Sequence, residues 1–459
     1  MKKKLLPALI VTGLIILVVI IMGITALINK YTPTKKTEDL KEYFNISSDD
    51  EVALIVDNEL SDYKAKIIDK KIYVDYKFVH DSLNSRFYWD ANENVLLYTT
   101  ASDIISAAAD SNSYSVTKQT NDFGYPIVKA TSDSALIALD YVKQYSNITF
   151  KSYDDPARIV ITSKWDEIDS ATVSKSTQVR VKGGIKSPIL KEVKKDDKIT
   201  ILDSGDKWDK IATEDGVIGY IKGKALSESK KTKLTNPDYE EETFTHIKKD
   251  KDICLAWNQV TSQSANSKVP QVISSTKGIN VMSPTWFYLN DNNGNLADIA
   301  SKDYVSYCHS QGIEVWGLFS NFENTDVDAA YVLTHTSTRT TLINQIMSAA
   351  FNYELDGVNI DFENITEAAY GDSYIEFIRE LAIKCHNNGI SLSVDVTVPA
   401  SFNKFFNRSD MANFADYIVI MGYDEHYKGS DAGSVSSIPW VTEGVDSTLK
   451  EVPADQIIL

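Results

Sequence analysis

The sequence predicts a multidomain protein in which an incomplete (β/α)8 barrel follows an N-terminal transmembrane helix, a small α+β domain and a small all-β barrel. Three observations predict this arrangement. The 459 residues suggest about two to four domains. A long apolar run without charges comes first. Apolar strands alternate with helical stretches only after residue 250, and this alternation is typical of a parallel sheet.

The first segment, residues 1–30, is expected to contain cytoplasmic lysines and a membrane-spanning anchor. Residues 5–28 contain no charged side chain and follow Lys2, Lys3 and Lys4. A membrane-spanning helix needs about 20 apolar residues, and basic flanking residues favour a cytoplasmic N-terminus. We prefer an uncleaved anchor over a cleaved signal peptide because the run is long and no A-x-A cleavage pattern follows it. Either interpretation predicts that the rest of the chain is exported.

Residues 50–163 are expected to form the small α+β domain, after a polar spacer at 29–48. The segment contains short β-rich runs and a helical stretch near Ser132–Tyr145, and the polar residues Asp90–Asn94 predict a hairpin turn. The pattern resembles the small stalk domain named after the N-terminal domain of copper amine oxidases. This resemblance implies a spacer or wall-contact role without copper chemistry.

Residues 172–226 are expected to form the all-β barrel, since turn signals separate short strands throughout. The runs VRVKGGIKSPIL, WDKIAT (from Trp208) and GVIGYIKG resemble bacterial SH3-like domains, which implies binding to peptidoglycan. Residues 164–233 hold 16 Lys and Arg against 12 Asp and Glu. Such a basic surface would favour an anionic wall polymer, although a passive spacer is the alternative. Residues 227–249 are expected to be a polar linker.

Seven apolar runs from residue 250 onward predict the strands of the large barrel. They read DICLAWNQV, GINVMSPTWFYL, EVWGLFSN, DGVNIDFEN, SLSVDVTVP, YIVIMGYD and QIIL. Helical stretches separate them, and Gly312 and Gly389 stand where helices are expected to end. The sequence stops inside the seventh strand, at Leu459, whereas a closed barrel of this kind needs an eighth. We therefore expect residues 250–459 to be a fragment of the domain.

The segment Asp356–Glu363, DGVNIDFE, carries the candidate chemistry. Alternate residues of a strand share a face. The predicted helix-facing side chains are Val358, Ile360 and Phe362, and the predicted barrel-facing residues are Gly357, Asn359, Asp361 and Glu363. Polar residues at the C-terminal end of a barrel strand are typical of an active site. Two nearby carboxylates raise each other's pKa, so that one can act as an acid. A buried structural ion cluster is the alternative interpretation.

DGVNIDFEN resembles the D-G-x-D-x-D-x-E signature of family 18 glycoside hydrolases, the chitinase family. Its place in the fourth strand, and Met421-x-Tyr423-Asp424 in the sixth, match that family. The runs SPTWF (283–287) and IVIMGYDEHYKGSDAG with IPWV resemble the branch that acts on spore and wall peptidoglycan. The resemblance extends over residues 250–459.

The resemblance implies a role for each matching residue. Glu363 would be the general acid and base, Asp361 would turn the substrate's acetamido group, Tyr423 would hold the acetamido carbonyl, and Asp424 would be its acidic neighbour. In this family the 2-acetamido oxygen attacks the anomeric carbon, an oxazolinium forms, and water opens it with retention. Such a mechanism requires an N-acetylated sugar, as found in peptidoglycan and in chitin.

Asn359 departs from the signature, which usually has Asp at this position. An amide keeps hydrogen bonding but removes a negative charge. We therefore expect Asp361 to ionise more easily, since no second carboxylate would share its proton. This substitution places a two-aspartate relay in doubt without removing the acid.

Further side chains are candidates for substrate binding or for structure. The substrate-binding candidates are Asn359, Asp356, Met421, Trp286 and Trp257. Aromatic faces stack on sugars, although barrel aromatics are more often core; the aromatic candidates are Trp257, Trp286, Phe287, Tyr288 and Trp316. We expect Cys254, Cys308 and Cys385 to be small buried thiols. The histidines show no metal-ligand spacing, so no metal and no other cofactor is predicted.

Three classes of function remain open. A net charge of −17 disfavours a nucleic-acid partner. An exported hydrolase of N-acetylglucosamine-containing wall glycan is favoured, because Glu363, Asp361 and Tyr423 are all present. A non-catalytic glycan-binding barrel and a structural surface protein are the alternatives. The sequence leaves peptidoglycan and chitin both open as substrates, and the SH3-like module and the anchor favour peptidoglycan.

Overall fold

The computed structural model describes residues 5–363, 365 and 368–459. Lys2–Lys4 and Asn364, which belong to the predicted anchor and to the DGVNIDFEN run, lie outside the described residues. The chain forms two compact units. The first contains the residues up to Phe78 and Ala138–Glu240, and the second contains Val79–Ile137 and Glu241–Leu459. Residues 50–163 therefore contribute to both units.

An apolar helix, Leu5–Tyr31, begins the first unit, as predicted. Its segment Leu9–Tyr31 has a mean hydropathy of 2.9 over 23 residues, and none of that stretch is buried. The helix is long and apolar enough to cross a membrane, and a signal sequence would meet the same criteria.

Two groups of strands follow in the first unit. The strands of the first group pair in the order Thr149–Tyr153, Arg158–Thr162, Glu51–Val56, Glu59–Ile68 and Lys71–Asp75. The short helices of this unit are Leu40–Tyr43, Tyr76–Phe78 and Leu139–Gln144. The second group is antiparallel and pairs in the order Ile189–Val193, Thr177–Arg180, Ile218–Lys222, Trp208–Thr213, Lys198–Asp203, Glu167–Thr172 and Lys230–Lys233. Inward side chains such as Val179, Ile211 and Ile221 are completely buried.

The helix expected near Ser132–Tyr145 begins only at Leu139, so that prediction was partly wrong. Residues Ala135–Ala138 form a strand instead, paired with Val128–Ala130. Ala135 and Ile137 are fully buried while Leu136 between them is partly exposed. This period of two is the signature of a half-buried strand, and pairing overrides the helix propensity of the alanines and leucines.

A five-stranded antiparallel meander belongs to the second unit. Its strands are Phe87–Asp90, Val95–Thr99, Ile104–Ala108, Ser113–Val116 and Gln119–Asp122, and a π-helical turn, Val79–Leu83, precedes them. The predicted hairpin is confirmed, because Asp90 pairs with Val95 across the turn.

The barrel occupies the rest of the second unit. Its strands are β1 Leu255–Asn258, β2 Val281–Leu289, β3 Glu314–Ser320, β4 Gly357–Asp361, β5 Ser391–Thr397, β6 Tyr417–Met421 and β7 Ile457–Ile458. They are parallel and neighbour one another in chain order, and a short strand, Leu296–Asp298, pairs with β2. Every strand predicted from residue 250 onward is therefore present.

Helices cover the outer face of these strands. They are α1 Val269–Ser274, α2 Lys302–Ser310, α3 Ala329–Thr334, α4 Thr336–Tyr353, α5 Ala368–His386, α6 Arg408–Phe414 and α7 Ile438–Thr448, with a 3₁₀ helix at Ser401–Phe406. Gly312 and Gly389 adopt φ values of 71° and 69° just after α2 and α5, as predicted for helix ends.

The meander packs against α4 and α5 through polar contacts. The hydroxyls of Tyr88 and Ser373 are 2.9 Å apart, and the Thr99 hydroxyl donates to a Glu376 oxygen at 2.7 Å. The Arg339 guanidinium lies 5.1 Å from the centre of the Tyr88 ring. The strands from Phe87 to Asp122 are thus part of the same compact body as the barrel.

Candidate active site

Strand β4 separates its side chains as the alternation predicts. Val358, Ile360 and Phe362 belong to the core between strands and helices. The Phe362 ring stacks on Phe377 of α5, with ring centres 5.4 Å apart. The intervening residues face the opposite way, so Asn359 and Asp361 lie among the inner residues of neighbouring strands.

The Asn359 amide is fully buried, and its orientation is fixed from three sides. Its oxygen accepts hydrogen bonds from the Trp257 indole at 3.0 Å and from the Ser283 hydroxyl at 2.9 Å. Its nitrogen donates to Oδ1 of Asp395 at 2.7 Å. One side chain of β4 therefore ties together the inner faces of β1, β2 and β5.

Asp361 is the more enclosed of the two predicted carboxyls, with 9% of its surface exposed. Burial, followed by the charges of Glu363 and Glu323, raises the pKa of Asp361 to about 7. Asp395, from the middle of β5, is 3% exposed, and burial followed by the charge of Asp361 raises its pKa well above the ordinary value. The expectation that Asp361 lacks a second carboxylate neighbour is therefore wrong. The missing signal was the register of β4 against β5, which local sequence does not give.

Glu363 stands at the exposed end of β4. Its backbone N–H donates to Oδ1 of Asn321 at 3.1 Å, which holds the residue against the loop after β3. Partial desolvation is the main cause that raises the pKa of the Glu363 carboxyl, and the charge of Asp424 raises it further. The site thus favours a protonated Glu363 over a wider pH range than an isolated glutamate would show.

Tyr423 and Asp424 follow β6 and complete the group of four predicted catalytic residues. Tyr423 meets Trp257 edge to face, with ring centres 6.4 Å apart. Burial raises the pKa of the Tyr423 phenol, and Asp361, Asp395 and Glu363 raise it further. The phenol therefore remains a hydrogen-bond donor across the physiological pH range.

A cavity of about 270 Å³ adjoins Glu363. Its walls include Asp395 and the predicted residue Met421, and three phenylalanines of the 3₁₀ helix: Phe402, Phe405 and Phe406. Phe402 is 77% exposed, which is unusual for so large an apolar side chain. Sequence reasoning missed Asp395, Phe402, Asn321 and Glu323. The alternation of polar and apolar residues in SLSVDVT was the signal that could have placed Asp395 on the inner face.

The structure places Trp286 and Asp356, both predicted to bind substrate, away from the group formed by Asn359, Asp361 and Glu363. Trp286 is completely buried, donates its indole N–H to Asn266 at 2.8 Å and packs edge-on against Tyr304. Its position on β2 points it toward the helices. Asp356 precedes β4 at the N-terminal end of the strand, where it accepts from the Val315 N–H at 2.8 Å and contacts His309. Active sites of parallel barrels lie at the other end.

The remaining aromatic and cysteine candidates divide between core and surface. Phe287 and Trp316 are core residues, because Phe287 stacks on Phe319 and Trp316 stacks on Tyr417. Trp257 is 37% exposed at the site and Tyr288 is partly buried. Cys308 and Cys385 are buried as predicted, whereas Cys254 is exposed because it precedes β1.

Among the described residues, no group of three His, Cys, Asp or Glu side chains is arranged to hold a metal ion. What the arrangement offers chemically is a proton donor beside a cavity, together with a buried carboxyl pair and a phenol.

The family model of glycosyl hydrolases family 18 matches residues 316–457, which include the β4 carboxyls and the Tyr423 turn. This chain contains a family 18 glycosyl hydrolase domain. The matched residues make up 31% of the chain (142 of 459 residues).

Several curated proteins and solved structures are similar to part of this chain. The uncharacterized glycosylase YvbX of Bacillus subtilis (strain 168) is 24% identical over 183 residues, which are 37% of this chain and 52% of that protein. The cortical fragment-lytic enzyme of the same organism is 24% identical over 176 residues, 36% of this chain and 41% of that enzyme. The chain thus spans about half the length of the curated relatives it matches. A chitinase structure from Chromobacterium violaceum ATCC 12472 covers 45% of this chain and 67% of its own, at 21% identity and a TM-score of 0.40.

Proposed function

We propose that the family 18 domain hydrolyses β-1,4 bonds at N-acetylglucosamine residues with retention of configuration, using the substrate's own acetamide as nucleophile. The observation that carries this proposal is the convergence of Glu363, Asp361 and Tyr423 at the C-terminal ends of β4 and β6. Glu363 raises the pKa of Asp361, and both carboxyls raise the pKa of the Tyr423 phenol, which supports their grouping in one site.

Each group has a distinct task in the proposed reaction. Glu363 gives its proton to the glycosidic oxygen as the bond to the anomeric carbon breaks. The acetamido oxygen bonds to that carbon, while the Asp361 carboxylate accepts the acetamido N–H and the Tyr423 hydroxyl donates to the acetamido oxygen. Water then attacks the anomeric carbon of the oxazolinium from the side of the departed group and gives a proton to the Glu363 carboxylate, while the bond from this carbon to the acetamido oxygen breaks and the acetamide is restored. The enzyme is thereby returned to its starting protonation state.

Peptidoglycan is the favoured substrate, with chitin-type oligosaccharides as the alternative. The apolar helix Leu5–Tyr31 supports a membrane anchor or an export signal. We propose that residues 172–226 act as an SH3-like wall-binding module, supported by their antiparallel strands and by 16 basic against 12 acidic residues in 164–233. In this proposal the part of residues 50–163 that belongs to the first unit is a spacer, and the catalytic domain works outside the membrane.

Digestion of purified sacculi tests the proposal. We expect the wild-type protein to release fragments whose new reducing end is N-acetylglucosamine. We expect the Glu363→Gln variant to bind sacculi without releasing such fragments. N-acetylchitooligosaccharides, incubated in parallel, decide between the two substrates. Binding by the wild type with no turnover of either glycan would instead favour a non-catalytic glycan-binding protein.

A further inference from the structure

Asp395 lies beside Asp361 on the inner face of the barrel. The parallel register of β4 and β5 pairs Asn359 with Ser393 and Ile360 with Val394. Continuing this register by one residue sets Asp361 next to Asp395. Both side chains are buried, with 9% and 3% of their surfaces exposed. Two carboxyls from neighbouring strands therefore meet in a space with little access to water.

The hydrogen bonding of this pair is incomplete. Oδ1 of Asp395 accepts from the Asn359 amide at 2.7 Å. Within the part of the chain that the structure describes, Oδ2 of Asp395 and Oδ1 of Asp361 are both buried without a hydrogen-bond partner. Buried polar atoms are almost always paired, and two adjacent ionised carboxylates repel each other strongly. A proton held between these two oxygens satisfies both atoms and removes one of the two charges.

The surroundings reinforce this conclusion. Glu363 raises the pKa of both carboxyls, and Glu323 after β3 raises that of Asp361. The hydrogen bonds from Asn359 and Trp257 lower the pKa of Asp395, but burial and the neighbouring carboxyls outweigh them. The phenols of Tyr374 on α5 and Tyr423 after β6 also interact with both carboxyls. Burial and the charges of the neighbouring carboxyls therefore favour retention of a proton on the pair.

We infer that Asp395 is a positioning residue that shares a proton with Asp361 and so supplies, from β5, the second carboxyl that Asn359 lacks. The inference rests on the proposed function for its catalytic meaning. In the free site the proton lies between Oδ2 of Asp395 and Oδ1 of Asp361. When a substrate acetamide reaches Asp361, the proton stays on Asp395, and Asp361 accepts the acetamido N–H as a carboxylate. No proton enters or leaves in this exchange.

A titration of the carboxyl carbons tests the pairing without requiring turnover. The full chain is labelled with 13C at aspartate carboxyls, and the signals of Asp361 and Asp395 are identified by their loss in Asp361→Asn and Asp395→Asn. We expect Asp395→Asn to lower the midpoint of the Asp361 titration by about one pH unit or more, because a like charge is removed. An unchanged midpoint in a folded Asp395→Asn protein would overturn the inference. Asp303→Asn, on the exposed side of α2, is the matched control.

A double variant that moves the carboxyl to the neighbouring strand tests the catalytic role. Because it restores a carboxyl to the pair, its activity separates loss of the carboxyl from loss of folding. Asn359→Asp combined with Asp395→Asn moves the carboxyl from β5 to β4. With a chromogenic diacetylchitobioside, we expect Asp395→Asn to shift the limb of the kcat/KM pH profile that reports Asp361 to lower pH, and the double variant to reverse most of that shift. If Asp395→Asn lowers kcat without shifting the kcat/KM pH profile, and the double variant does not restore kcat, Asp395 has a merely structural role. If the wild type hydrolyses no glycan, the proposed function fails, while the titration still decides the proton sharing.

Discussion

The carboxyl of Asp361 links the pH dependence of stability to the site. Its pKa is raised to about 7, mainly by burial and then by Glu363 and Glu323, whereas an unfolded aspartate titrates near about 3.9. The folded protein therefore holds a proton that the unfolded chain has lost between these values. The contribution of this group to stability is fully present below about pH 4 and is lost as the pH rises through about 7.

We expect the free energy of unfolding of the second unit to fall between pH 5 and pH 8 by less in Asp361→Asn than in the wild type, because the amide does not titrate. The difference amounts to at most about 3 kcal/mol, because within this window only the interval from pH 5 to a pKa of about 7 contributes. Urea titrations at several pH values measure it. Equal pH slopes in the two proteins would show that Asp361 ionises normally in the folded state.

Tyr423 carries a second prediction at this scale. In the proposed reaction the Tyr423 hydroxyl holds the acetamido oxygen in line with the anomeric carbon, and misplacing a reacting atom can lower the rate by about 10²-fold. We therefore expect Tyr423→Phe to lose about 10²-fold in kcat with a smaller change in KM, measured on N-acetylchitooligosaccharides. Tyr427→Phe, an exposed phenol nearby, is the control and is expected to retain the wild-type rate. A Tyr423→Phe enzyme with full kcat would remove the phenol from the mechanism.

Individual residues show where sequence reasoning succeeds and where it stops. The placement of Asp361 on the inner face followed from strand alternation alone. Trp286 also lies in a barrel strand, β2, but only the structure shows that its side chain faces the helices. Asp356 belongs to the same motif, yet it lies at the wrong end of β4. Side-chain direction and strand end decide function, and a motif does not specify both for each of its members.

The 3₁₀ helix Ser401–Phe406, which follows β5, is the element most open to test. It holds Phe402 77% exposed at the cavity beside Glu363. Exposed aromatic rings at such positions stack on sugar faces. We expect Phe402→Ala to raise KM for longer N-acetylchitooligosaccharides by about 3- to 10-fold while kcat changes little.

The control for this prediction is Phe351→Ala on α4, where the ring is 55% exposed. It should leave KM unchanged. An identical KM in the Phe402→Ala enzyme for short and long oligosaccharides would show that the 3₁₀ helix does not contact the glycan.

Strand elements were predictable because their period and composition are local. All seven barrel strands coincide with apolar runs in the sequence. The helix predicted near Ser132–Tyr145 was partly wrong for a non-local reason. The pairing of Ala135–Ala138 with Val128–Ala130 decides the conformation there. The partnership of Asp361 and Asp395 likewise depends on the register between two strands that lie about 30 residues apart, and no local pattern contains it.

At the scale of the whole molecule, the second unit joins residues 79–137 to a barrel more than a hundred residues further along the chain. Arg339 stands at this junction. It is completely buried, its Nε donates to Glu380 at 3.0 Å, and its guanidinium lies over Tyr88 of the meander. Local sequence could not reveal this junction because its contacts connect distant segments.

We expect Arg339→Ala to lower the free energy of unfolding of the second unit by about 3–5 kcal/mol, since it leaves Glu380 buried without its partner. Hydrogen exchange should then increase in the meander and in α5 together, because the two pack as one body. Lys248→Met, which breaks an exposed ion pair with Asp455, is expected to cost less than about 1 kcal/mol. Increased exchange confined to α5 would contradict a shared unfolding unit.

The stereochemistry of the first product tests the central claim most directly. Proton NMR during the first turnovers of an N-acetylglucosamine oligosaccharide reports the configuration at the new reducing end. We predict that the β anomer appears first, and that the matching oligosaccharide without the N-acetyl group at the cleaved sugar is not hydrolysed. An initial α anomer, or equal hydrolysis of the deacetylated substrate, would contradict catalysis by Glu363 together with the substrate's own acetamide.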